Sequence, residues 1–195
     1  MSLRKIFAIL LCFAVALSLA GCGKKPAGDL SSADPASEPN GSGALNISGG
    51  DTVSVREDVC ELYLQVLEDL WNVDTGLNSG ITQIGIDLSE LSHLTQEEKD
   101  AVMSGFASKH DLPYIAGTWE ELCEKGLIDK DDLYWEDGLF FSIKTNEEGR
   151  SDAKHTAFDA QKWRSGLGAY FFGQCTAQRN ADGKWSYTVG QHAIA

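Results

Sequence analysis

Positive charge is scarce in this chain: 16 lysines and arginines stand against 29 aspartates and glutamates in 195 residues, a net charge of -13. Nothing longer than Lys24-Lys25 gathers the cations together. Phosphates are therefore repelled, which excludes nucleic acid as a partner and adsorption to anionic lipid by charge alone. Metal-binding spacings are missing as well. There is no His-x-x-x-His and no Cys-x-x-Cys, and the acidic run Asp129 to Asp132, with Glu136 and Asp137, lacks the glycine and terminal bidentate glutamate of a calcium loop. A solvated acidic loop is the reading, with no metal or other cofactor expected. Catalytic motifs are absent too. His93, His110, His155 and His192 each stand alone, with no motif around any serine or cysteine. Ser165, in Arg-Ser-Gly-Leu-Gly, lacks the glycine two residues before it that a nucleophile elbow requires, and joins two predicted strands. Finally, the longest apolar run covers about 14 residues, short of the ~20 that cross a bilayer as a helix.

That run belongs to a leader. Arg4 and Lys5 precede Ile6 to Ala16, Leu17 and Leu19 continue the apolar stretch, and small residues follow, the three parts of a secretory signal. Leu19-Ala20-Gly21-Cys22 resembles the lipobox of bacterial lipoproteins. The resemblance implies cleavage of residues 1–21, a diacylglyceryl group on Cys22, and a protein held on the extracytoplasmic face of the cell membrane. Two or more acyl chains hold such an anchor stably where one does not. The leader takes with it two basic residues and no acidic one, so the mature chain sits near -15. Residues 22–53 read as the lipidated cysteine and a tether. From Gly23 to Gly50 the composition is dominated by Gly, Ser, Ala, Pro, Asn and Asp, without apolar periodicity, which cannot offset the entropy of folding. About 30 such residues reach roughly 30 Å.

Of five cysteines, Cys12 leaves with the leader and Cys22 carries lipid, leaving Cys60, Cys123 and Cys175. An oxidising compartment leaves two bridges open, Cys60 or Cys123 with Cys175, beside the reading in which all three are small buried apolar residues. By alternation, Cys175 shares a strand face with Phe171, Gly173 and Ala177.

Residues 54–195 carry enough apolar periodicity for one α+β domain. Ser54 with Glu57 predicts a capping box, followed by Val59, Leu62, Tyr63, Val66, Leu67 and Leu70 on one stripe of a long amphipathic helix. Ile84, Ile86 and Leu88 predict a short strand. Thr95 with Glu98, and Thr118 with Glu121, are capping boxes for two shorter helices, the second ended by Gly126. From Leu133 onward the period becomes two: Leu139, Phe141 and Ile143 alternate, then runs follow at Thr156 to Trp163, Ala169 to Arg179 and Lys184 to Gly190, separated by turn residues. The expected architecture is the long N-terminal helix packed on a curved antiparallel meander.

Leu122 to Ile128 leading to Asp137-Gly138-Leu139, then Lys162 to Ala169, and Asp182-Gly183-Lys184-Trp185, resemble uncharacterised envelope domains of Gram-positive bacteria. That resemblance implies a cystatin-like or nuclear-transport-factor-like fold, and no activity. The functional candidate is aromatic: Trp163, Tyr170, Phe172, Trp185 and Tyr187, with Arg164 beside them, as a ligand or partner surface. Tyr170, Phe171 and Phe172 are consecutive, so rings point to both faces of that strand. The helix covers one face, and the smaller helices, a partner or solvent take the other. The expected function is binding, without catalysis, of an envelope protein or peptide. The alternative is a small-ligand sensor or enzyme with a pocket in the sheet, with His155 or His192 and Asp159 as acid and base.

Overall fold

The computed structural model describes residues 55–195. The leader, Cys22, the tether and Ser54 lie outside the described residues. Three helices and seven strands follow in the order α1 (Glu57–Asn72), β1 (Gln83–Asp87), α2 (Gln96–Lys109), β2 (Tyr114–Ala116), α3 (Trp119–Glu124), β3 (Gly138–Thr145), β4 (His155–Ser165), β5 (Gly168–Arg179), β6 (Trp185–Thr188) and β7 (Gln191–Ile194). A short 3-10 turn, Thr75–Asn78, follows α1.

The chain is α+β, but its open sheet is mixed where an antiparallel one was expected. Strand order is β2-β1-β3-β4-β5-β6, with β7 also paired to β5. β1 pairs in parallel with both β2 and β3, because α2 and α3 are crossover connections that return the chain in the same direction. The strands β3, β4 and β5 are antiparallel neighbours. β6 borders the C-terminal half of β5 and β7 its N-terminal half.

The capping boxes at Thr95 and Thr118 are both formed, each hydroxyl accepting from the N–H of Glu98 or Glu121 and each carboxylate accepting back. α1 starts differently. Its N-cap is Arg56, which supplies no side-chain cap; the Arg56 N–H instead donates to the Glu98 carboxylate at 3.0 Å. The first helix thus borrows an acceptor from the second.

Two apolar clusters sit on opposite faces of the sheet. On one, α1 and α2 bury Tyr63, Val66, Leu67, Leu70, Val102 and Phe106 against Ile84, Ile86, Leu139, Phe141 and Phe158. On the other, the short α3 and the segment before β3 bury Leu122, Ile128 and Trp135 on Phe140. Gly85 makes the second contact fit: a Cβ there would stand 2.6 Å from Leu122 and 2.9 Å from Trp135.

β5 does not keep strict alternation. Phe158 pairs with Cys175 but Ala160 pairs with Phe172, so β5 carries a bulge opposite Asp159. Gln174 takes a φ of 51° there, and its N–H donates to Asp159 Oδ1 at 2.8 Å. A bulge shifts the faces of the residues beyond it. Cys175 and Ala177 consequently join Phe172 in the α1 cluster, correcting the assignment of Cys175 to the face of Phe171. Cys60, Cys123 and Cys175 are all free thiols, with Cys60 and Cys175 buried. Burial, with Asp159 adding to it, pushes the Cys175 thiol up to about 12.

Candidate functional site

The aromatic residues singled out from the sequence divide between the two faces. Phe172 is buried in the α1 cluster, and Tyr170, Trp185 and Tyr187 pack half-buried against it. Their polar ends are occupied. Trp185 Nε1 donates to Asp58 of α1 at 2.9 Å, the Tyr187 hydroxyl donates to Asp69 of the same helix, and the Tyr170 hydroxyl lies 3.4 Å from His192 Nδ1. Trp163 is on the other face, edge-on to Trp119 with centroids 6.0 Å apart. Arg164 donates to the carbonyls of Leu77, Ser79 and Glu136. These residues do not line one shared cavity.

The open space is on the face that carries α3. With six residues, α3 covers only the Phe140 and Trp163 end of that face. Beyond it, Ser142, Gln161 and Phe171 stand in one row across β3, β4 and β5, flooring a groove of about 400 Å³. Trp119 and Glu120 of α3 form one wall, and Asp87 and Glu90 lie where β1 ends. Lys144 and Asp159, opposite one another in register, complete the lining. The groove therefore crosses β1, β3, β4 and β5, three strand spacings or about 14 Å.

Asp159 is already committed, accepting from Gln174 N–H and from Asn146 Nδ2 at 3.3 Å. Asp87 accepts, among the described residues, only the N–H of Ser89, at 2.9 Å. Among the described residues, Glu90, Glu120 and Lys144 form no ion pair.

A second opening of about 310 Å³ lies further along the same face, between Arg150 and His155 and the side chains of Thr176, Gln178, Ser186 and Thr188. The β3–β4 connection separates the two openings, with Gly149 seated on Ala157 so closely that no side chain fits between them. Asp152 links Arg150, at 2.6 Å, to His155 Nδ1, at 2.9 Å. The bond from His155, then the N–H of Lys154 and Arg150, holds the Asp152 carboxyl well below the usual carboxylate range.

The acid and base candidates are not brought together. Asp159 lines the first opening and His155 the second, while His192 packs edge-on to Phe172. Among the described residues no three His, Cys, Asp or Glu side chains converge as metal ligands, and no helix is long and apolar enough to cross a membrane.

Sequence reasoning missed the groove's polar floor. Ser142 and Gln161 are ordinary outward residues of alternating strands, and only the shortness of α3 leaves them uncovered. Phe171 was the available signal, since one of three consecutive rings had to face away from α1. No family model matches the chain, and no curated protein or solved structure matches it.

Proposed function

We propose that this protein is a lipid-anchored binding module on the extracytoplasmic face of a bacterial cell membrane, and that it binds its ligand in the groove across the α3 face. The observation that carries the binding site is the row Ser142, Gln161 and Phe171, an aromatic and polar floor on rigid strands, left open beside Trp119. Apolar surface with a few placed polar groups is how small-molecule and peptide sites are built. The anchor is supported by the lipobox-like Leu19 to Cys22 and the leader before it.

Each half has its own test. Labelled fatty acid should enter the wild-type chain, and Cys22→Ala should abolish the label and leave the leader uncleaved; a labelled Cys22→Ala protein overturns the anchor. For the site, the mature chain titrated with a mixed set of amines, sugars and short peptides should show amide shifts centred on Ser142, Gln161 and Phe171. Gln161→Ala with Phe171→Ala should weaken the responding compound about tenfold or more. Shifts confined to other surfaces, or none, overturn the groove as the site.

A further inference from the structure

Resting on the groove as the binding site, we propose that its ligand is a cationic peptide segment bound in extended conformation, lysine or arginine side chains facing the carboxylates of Asp87, Glu90 and Glu120. Charge complementarity selects it. The groove's single ammonium, Lys144, stands in register with Asp159, whose carboxylate is bonded to Gln174 and Asn146. Asp87, Glu90 and Glu120 form no ion pair among the described residues, the nearby Lys99 donating instead to the Ser89 carbonyl at 3.0 Å.

The field of a chain whose net charge is -13 strengthens the same preference and opposes anionic ligands. The aliphatic stem of a lysine or arginine can lie along the half-buried Phe171 while its charged head reaches the carboxylates. Trp119, beside Glu120 on the wall, adds an aromatic ring to the same lining. Length agrees as well: about 14 Å accommodates roughly four extended residues at ~3.3 Å each. The half-buried Ser142 and Gln161 supply a hydroxyl and an amide for the peptide backbone.

The test uses the mature chain and three blocked pentapeptides, identical except that two positions flanking a phenylalanine carry lysine, acetyl-lysine or glutamate. The lysine peptide should shift the amides of Ser142, Gln161 and Phe171, bind more weakly as salt rises, and lose about tenfold in affinity with Asp87→Asn and Glu120→Gln combined. Acetyl-lysine and glutamate peptides should bind at least tenfold more weakly. Equal binding of all three in the groove overturns the cationic class and leaves the groove as the site. No shift from any of them at millimolar concentration overturns the peptide, and the mixed-compound titration then decides the groove separately.

Discussion

Lys162→Met should lower the unfolding free energy by about 3 kcal/mol, seen as a fall in the urea midpoint with the slope unchanged. Lys162 is fully buried, on the α1 face of β4. Its ammonium donates to the carbonyls of Val73 and Asp74, the latter at 3.1 Å, and to Asn78 Oδ1 at 3.1 Å, with the Trp71 carbonyl at 3.5 Å beside them. α1 ends at Asn72 with no basic residue in its last turn, so the positive charge that a helix C-terminus favours comes from a distant strand. Methionine fills similar space but removes the donor to the Val73 carbonyl and Asn78 Oδ1, while the Trp71 and Asp74 carbonyls keep only Asn78 Nδ2 and the Leu77 N–H, which costs more than the hydrogen bonds were worth.

Lys162→Arg should not rescue, since a planar guanidinium cannot occupy a cage shaped around one nitrogen. A loss under about 1 kcal/mol would sink the account. Burial lowers the Lys162 pKa to about 8 from 10.5, so the amine is still mostly charged at neutral pH. The folded value lies below the unfolded one, so between pH 8 and 10.5 only the unfolded chain stays protonated and the Lys162 contribution to stability rises with pH.

Glu98→Gln should cost about 2–3 kcal/mol at pH 7 and flatten the acid unfolding profile. The fully buried Glu98 accepts from Arg56 N, Nε and Nη2 and from Thr95 N, at 2.7 to 3.0 Å. The Arg56 guanidinium is the largest reason that its pKa falls to about 2 from 4.5, outweighing the cost of burial, with the Thr95 and Arg56 N–H groups helping. The folded pKa is depressed, so the stabilisation is fully present above pH 4.5 and disappears as pH falls through about 2. Lowering the Glu98 carboxyl from 4.5 to about 2 corresponds to about 3 kcal/mol, trimmed because the Arg56 side chain is half exposed. Wild type should therefore lose stability steeply between pH 4.5 and 2 where Glu98→Gln does not. Parallel acid profiles for the two proteins would show that the four donors stabilise nothing.

Both effects rest on pairings across the fold, and only half of each was legible beforehand. The Thr95 and Glu98 box could be read because its partners lie three residues apart on one helix turn. That the same carboxylate would also receive Arg56, 42 residues away, could not. Lys162 did leave a trace: it shares the parity of Phe158 and Ala160, and a lysine on the buried side of a strand requires an acceptor cage. Nothing in the sequence places that cage at the end of α1.

The sequence by itself determined what depends on neighbours a few residues apart. It set the two capping boxes, the turn at Gly126, the alternating runs of β3, β4 and β5, and a net charge of -13. Tertiary structure alone decided the parallel pairing of β1 with β2 and β3, since hydrogen bonds between strands separated by a helix follow no local rule. It also decided the three-residue β2, too short to show a period, and the bulge at Gln174, where one side-chain bond from Asp159 changes which residues of β5 meet α1. The groove is a consequence of the same kind: it exists because a six-residue helix cannot cover the sheet face beneath it, and coverage is a property of the packed layers.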